Sequence, residues 1–242
     1  MGEYKERTKQ YYDSFANTWD KRFDNKSKSF LYFLNKRLKM LEKYLGDYDN
    51  LVDAGCGTGY YITNLLKNGK KGIGFDISPK MIEQAKKIKN ERYSDKDISY
   101  VVDDGENLKF ENDTFDRAIC VGYLIHLEKQ QKALNEIFRI LKPGGKMVGL
   151  ISNRWSPWLF LNLRKKFAKD YGVIQGDQEL SPREVKKMMK ESGFRNVEIK
   201  MFNTLPGKLP NWLYYPARIL NCVFLIFPFS LLGWHILVVG EK

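Results

Sequence analysis

The chain has 242 residues, 43% of them hydrophobic, with 19 glycines and 8 prolines. That is enough to bury one large core or two small ones, and it excludes a disordered chain. A formal net charge of +12 fits an acidic partner such as nucleic acid, anionic lipid or a phosphorylated substrate; it fits equally a lysine-rich surface that keeps the protein in solution. Cys56, Cys120 and Cys222 are odd in number and widely spaced, which excludes a disulfide framework and suggests a reducing, cytoplasmic compartment. They have no partners at zinc spacing, so no metal is predicted. The first residues carry neither the apolar core of a signal peptide nor the Ser or Thr at position 6 that myristoylation favours.

Two helices are predicted to lead the chain, over residues 4–20 and 29–44. Tyr12 and Trp19 lie seven apart in the first and so share one face. Strands are predicted near 50–54, 72–75, 98–102, 116–121, 145–151, 196–203 and 234–240, with helices between most of them. Ser78-Pro79 reads as an N-cap followed by proline at the first helical position. Ser181-Pro182-Arg183-Glu184 reads as a capping box. Lys142-Pro143-Gly144-Gly145 closes a helix and turns into the fifth strand. This alternation implies a doubly wound α/β fold, a mostly parallel sheet with helices on both faces.

The richest stretch is Leu51-Val52-Asp53-Ala54-Gly55-Cys56-Gly57-Thr58-Gly59. An apolar strand ends in a carboxylate, and three glycines alternate in the turn that follows. Glycines there let backbone approach a ligand, and the N–H groups of the next helix face it. The spacing is Gly-x-Gly-x-Gly, which is not the dinucleotide fingerprint. Asp53 would repel a pyrophosphate but suits a cationic ligand. S-adenosylmethionine (SAM) carries a sulfonium and an ammonium and has no phosphate. Asp76, ending the second strand, lies at the offset where an acid takes ribose hydroxyls.

These motifs, with Gly74-Phe75-Asp76-Ile77-Ser78 and Met81, Asp103-Asp104-Gly105-Glu106-Asn107-Leu108, Phe115-Asp116 and Leu141-Lys142-Pro143-Gly144-Gly145, resemble those of the class I SAM-dependent methyltransferases, in particular the small-molecule branch of the type-11 methyltransferase domain. The resemblance is strong over residues 45–152. It implies a Rossmann-like seven-stranded sheet whose last strand is antiparallel, and SAM as cofactor. Backbone around Gly55, Cys56, Gly57 and Gly59 would hold the methionine moiety, and Asp53 would act on its ammonium. Asp76 would grip the ribose, with Ile77 and Met81 nearby. Asp104 would accept from the adenine amino group, with Gly105 and Glu106 beside the ring. Val121 would face the methionine end. Tyr12 and Trp19 would close over the cofactor or only pack their helix on the core.

The same family fold normally joins its last two strands by a short hairpin. Here about thirty residues intervene, far beyond the usual roughly 2–5. The expected organisation is therefore a single domain with cap helices over 1–45 and apolar inserts at about 153–180 and 204–233, both leaving from the cofactor edge. The inserts carry Trp155, Trp158, Phe160, Trp212, Tyr214 and Phe224. Such segments serve as a lid, an oligomer face or a peripheral membrane contact. No transmembrane span is expected, because Pro228 and the last strand break the apolar run.

Candidate catalytic groups follow the fourth strand. His126 could take a proton from the acceptor, since imidazole is a base suited to neutral pH, or it caps the loop; Tyr123 is a second candidate. His235 reads as structural. The function expected is methyl transfer to a small, lipophilic acceptor: a quinone, a lipid or an aromatic metabolite. The alternatives are an RNA methyltransferase and a non-catalytic SAM-binding protein at membranes. Nucleic acid is disfavoured, since Cys120-Val121-Gly122-Tyr123 lacks the prolines typical of enzymes that methylate base amines. The oligomeric state is not indicated.

Overall fold

Ser27 opens the second helix by accepting a hydrogen bond from Phe30 N–H, two residues before the sequence pattern suggests. In the computed structural model, which describes residues 2–24, 27–154, 178–202, 211–216, 219 and 235–242, α1 spans Glu3–Trp19 and α2 spans Lys28–Leu45. Then come β1 (Asn50–Ala54), α3 (Tyr60–Leu65), β2 (Lys71–Asp76), α4 (Pro79–Arg92) and β3 (Asp97–Val102). The chain continues with β4 (Phe115–Val121), α5 (Gln130–Ile140), β5 (Leu141–Ser152), α6 (Pro182–Glu191), β6 (Arg195–Phe202) and β7 (His235–Glu241). Ser78 caps α4 through Met81 N–H at 3.1 Å. Ser181 and Glu184 form the reciprocal capping box at the start of α6.

Among the described residues, seven strands form one sheet in the order β3-β2-β1-β4-β5-β7-β6. Every pairing is parallel except those of β7, which runs antiparallel to both β5 and β6. The doubly wound fold with an antiparallel last strand is thus as expected. Strand side chains alternate between two cores. Ile236 and Val238 of β7 join Phe75, Leu134, Ile137 and Val185 under α5 and α6. Leu237 and Val239 join Leu41, Leu51, Ile62 and Ile82 under α2, α3 and α4. Burying one such side chain is worth about 1.5–3 kcal/mol, so the two-sided sheet is the main source of stability.

The fifth strand begins earlier than expected. Leu141 already pairs with Phe115, and the register then slips so that Lys146 meets Arg117. Residues 142–145 bulge out between these pairs, with Gly144 at φ +77°. Asp116 holds this end of the sheet. It accepts from Lys142 Nζ at 2.8 Å and from the backbone N–H groups of Asn50 and Asp49. Burial alone would raise its pKa, but those donors outweigh it and hold the carboxyl below its usual range.

The first insert leaves and returns at one point, where Asn153 bridges Leu180. Most of both inserts lies outside the described residues. So do Trp155, Trp158, Phe160, Phe224 and Cys222, and most of the apolar stretch from Leu213 onward. Among the described residues, no helix is long and apolar enough to cross a membrane. Likewise, no cluster of three or more His, Cys, Asp or Glu is placed to hold a metal.

Candidate cofactor and active site

Parallel β1, β2, β3 and β4 all end at one edge, so their trailing loops meet there. β1 delivers the glycine turn. Gly55, Gly57 and Gly59 have φ of +66°, +54° and +84°, conformations that a Cβ would strain. Space is short as well. A Cβ on Gly55 would strike the Tyr123 ring and one on Gly59 the Tyr100 hydroxyl. Asp76, at the end of β2, accepts Gly57 N–H at 3.0 Å on one oxygen and Ser78 N–H at 2.9 Å on the other. These bonds tie the β1 turn to the β2 turn and leave lone pairs on both oxygens. Burial raises the Asp76 pKa, while the two N–H groups and nearby His126 oppose the rise. Ile77 follows, half-buried.

Asp53 is 2% exposed, and its Oδ2 has no hydrogen-bond partner among the described residues. Burial, helped by the Asp76 charge, pushes its carboxyl well above the usual range. Such a carboxylate calls for a cation. Cys56 packs beneath the turn, with its sulfur toward Gly74 and the Gly57 carbonyl. Burial drives the thiols of Cys56 and Cys120 far up, so both stay protonated and are poor nucleophiles. Met81 is wholly buried in the first turn of α4, so it supports the β2 turn and has no surface to offer a ligand.

The loop after β3 is built from its own carboxylates. Asp103 accepts from Asp104 N–H and Lys109 N–H, and Asp104 accepts from Glu106 N–H at 3.0 Å. Glu106, itself buried, accepts Lys129 N–H at 3.0 Å on its other side. Lys5 of α1 then reaches in, 2.7 Å from Asp104 Oδ2 and 3.1 Å from Glu106 Oε2. Burial alone would lower the Lys5 pKa; the two acids outweigh it and hold it raised.

Lys5 is one of several ties that lay α1 across the strand ends. Asp13 accepts from Ser78 Oγ at 2.5 Å and from Lys80 N–H. Gln84 donates to Asn17 at 2.8 Å, and Arg92 pairs with Asp20 at 3.3 Å. The sequence reading missed Lys5 and Asp13. Their partners are far away in the chain, and no local pattern marks them. The result for Tyr12 and Trp19 is plain. The Trp19 indole nitrogen lies 3.4 Å from the place of a Gly57 Cβ, and the Arg22 guanidinium covers that ring at 3.6 Å. Tyr12 stands edge-on to Trp19 at 5.3 Å and to His126 at 5.5 Å. An aromatic bridge therefore runs from the glycine turn to the loop after β4.

Val121 ends β4, half-buried, and Tyr123 follows in the space left by two glycines. Its ring meets Gly55 and its hydroxyl fills the place of a Gly105 Cβ. Part of the ring is exposed, but the hydroxyl is buried and has no hydrogen-bond partner among the described residues. Burial, then Cys120 and the carboxylates of Asp76, Asp104 and Glu106, keep the phenol protonated. Tyr123 can donate a hydrogen bond but is unsuited to be a base. Tyr123→Phe should raise the stability of the free protein by about 1 kcal/mol, since an unmet buried hydroxyl disappears. Thermal melting would show a rise of roughly 2–4 °C; a fall would mean that the hydroxyl has a partner. His235, at the start of β7, is buried beside Phe33 at 5.8 Å and kept neutral by burial and by Arg37 and Lys36, as befits a structural residue.

A family model described as Methyltransferase domain matches residues 52–149. A demethylmenaquinone methyltransferase of Lactococcus lactis is 32% identical over 217 residues, covering 80% of this chain and 84% of that relative. The chain belongs to the SAM-dependent methyltransferases. An uncharacterised protein of Methanocaldococcus jannaschii is 33% identical over 158 residues, 65% of this chain but only 57% of that protein, so the match spans little more than half of the archaeal relative. A solved SAM-dependent methyltransferase of Thermotoga maritima superposes with a TM-score of 0.71, covering 96% of this chain and 99% of its own at 20% identity. That likeness is one of fold. SAM is the cofactor of this methyltransferase family, and the residues here fit it. The orphaned Asp53 oxygen suits an ammonium, Asp76 keeps acceptor capacity for two hydroxyls, and the glycine turn leaves room where side chains would intrude.

Proposed function

We propose that the protein moves the methyl group of SAM to a small, lipophilic acceptor of the quinone, lipid or aromatic-metabolite class. The observation that carries this reading is the aromatic bridge of Trp19, Tyr12 and His126 beside the glycine turn. It sets a titratable nitrogen within an aromatic wall at the strand ends. Relatives named demethylmenaquinone methyltransferase, in Lactococcus lactis and Lactobacillus johnsonii, support a quinone acceptor.

Bound SAM supplies a methyl group on a positively charged sulfur, and the thioether left behind is neutral. Asp53 would oppose the ammonium, Asp76 would hold the ribose hydroxyls, and Asp104 with the Gly105 backbone would receive the adenine. α1 would exclude water from the far side, with Tyr12 and Trp19 closing over the cofactor. The His126 imidazole takes the proton from an acceptor hydroxyl or enol as the nucleophile develops charge. Positioning and water exclusion account for the rest of the acceleration. Peripheral membrane contact belongs to this reading, because an apolar acceptor resides in lipid.

Two experiments test it. Labelled SAM is offered with total lipid, total RNA and a polar metabolite fraction; label is expected in lipid. Label in RNA alone would favour the basic-surface alternative, and none anywhere would favour a non-catalytic SAM binder. His126→Ala should lower turnover by about a hundredfold or more while SAM affinity stays within twofold. Activity kept within a few-fold would show that positioning alone suffices.

A further inference from the structure

Residues 211–216 and Ile219 are the described part of the second insert, and Tyr214 and Tyr215 meet α2. The Tyr32 and Tyr214 rings are 6.3 Å apart, and Lys28 Nζ lies 5.2 Å over the Tyr215 ring. On α2 and on the same short stretch, large apolar side chains face solvent. Trp212 is 75% exposed, Ile219 70%, Tyr215 58% and Leu31 44%. Side chains of this size seldom stand exposed together without a partner.

The charge of the stretches that supply these side chains is one-sided. Residues 28–41 contain Lys28, Lys36, Arg37 and Lys39 but no Asp or Glu, and residues 199–240 contain no Asp or Glu at all. Lys28, Leu31, Asn35 and Lys39 lie on the exposed face of α2. The surface therefore presents tryptophan, tyrosine, leucine and isoleucine among cations. A bilayer takes such groups at two depths, rings and aliphatics at the acyl boundary and ammonium groups among anionic head groups.

Position ties the surface to the site. Phe33 packs on His235, which pairs with Ser152 at the carboxyl end of β5. At the other end of α2, the Leu45 carbonyl accepts from Arg117 near the start of β4. The first turns of α2 thus stand at the edge that carries Asp53, Asp76 and Tyr123. A second copy of the chain is a poorer occupant, since it would set these cations against their own kind on a molecule of formal charge +12. Leu31 and Ile219 have no stacking face to give RNA.

We propose that the outer face of α2, with residues 211–216 and Ile219, forms a docking surface for an anionic lipid bilayer, holding the cofactor edge against the membrane from which the acceptor is drawn. The link to the acceptor rests on the reading above; the docking itself does not.

The test is co-sedimentation of the purified protein with vesicles of phosphatidylcholine, with or without an equal part of phosphatidylglycerol. Binding is expected to mixed vesicles and to be about tenfold weaker on neutral ones, and to drop about tenfold between roughly 50 mM and 500 mM salt. Leu31→Asp with Trp212→Ser should weaken binding about tenfold or more, as should Lys28→Glu with Lys39→Glu. Circular dichroism and SAM calorimetry are to match the parent protein, which keeps a misfolded variant from imitating the result. Equal binding to neutral vesicles at high salt would overturn the role of the cations. Absence of binding to mixed vesicles, displacement by single-stranded RNA, or a dimer that Trp212→Ser dissolves would overturn the surface as a lipid site. Failure of methyl transfer with vesicle binding intact counts against the acceptor alone and leaves the docking surface standing.

Discussion

Asp76→Ala should weaken SAM binding by about a hundredfold or more. Asp76 ties the β1 turn to the β2 turn and keeps acceptor capacity on both carboxylate oxygens. A hydrogen bond to a charged acceptor contributes about 1.5–3 kcal/mol, and two ribose hydroxyls would lose theirs together, with about 1.4 kcal/mol per tenfold in affinity. The change reaches the empty protein too. Gly57 N–H and Ser78 N–H lose their acceptor, so the glycine turn loses its brace and the first turn of α4 a cap. Asp76→Asn keeps one acceptor oxygen and should fall between the two. Calorimetry with SAM and with its demethylated product measures all three proteins, and an unchanged affinity in Asp76→Ala would move the ribose subsite elsewhere.

Asp53→Asn should act in two opposite directions. The carboxyl is buried, one oxygen lacks a partner, and its pKa is raised. A raised pKa means that the folded protein holds this proton more tightly than the unfolded chain does. The folded state therefore loses stability as pH climbs from the usual carboxylate range up through the raised value. The amide carries no charge and removes that slope. Near neutral pH the variant should be more stable by about 1–3 kcal/mol, the range for an unmet buried group. On the proposed reading Asp53 opposes the SAM ammonium, so losing its charge should drop affinity about tenfold to a hundredfold. Urea titrations at pH 5 and pH 8 would show the gap between the proteins widening with pH. A variant less stable at every pH would mean that the carboxylate is already paired in the free protein. A site that sacrifices stability to keep a charge ready for its ligand is a common compromise.

What could be read in advance was local. The glycine turn, the Ser78 cap and the Ser181–Glu184 box all fall within a few residues of their own partners, so chemistry and spacing sufficed, and Asp76 was marked by its fixed offset from that turn. Strand alternation likewise fixed the doubly wound fold. Lys5 was opaque because its acids lie 99 and 101 positions away, and nothing near Lys5 sets it apart from the other lysines. The Tyr123 hydroxyl was misjudged for a related reason. Its candidacy as a base came from its place after β4, whereas its protonation follows from burial between two loops that meet only in the folded chain. Leu141 was taken for helix because the Pro-Gly-Gly bulge looked like a boundary, and only its pairing with Phe115 reveals a strand that resumes after a detour.

The position of β7 sets an order of events during synthesis. β6 meets the sheet only through β7, which lies between β5 and β6. As the ribosome releases the chain, β1 to β5 can associate in sequence and α6 can dock on α5 through Gln131 and the Val185 core, but among the described residues β6 has no strand to join until β7 has emerged. Until then the free edge of β5, lined with Val148, Leu150 and Ile151, stays open to any other extended chain. The nascent protein thus passes through a stage at which β6 waits on β7, and chaperone demand should be concentrated there.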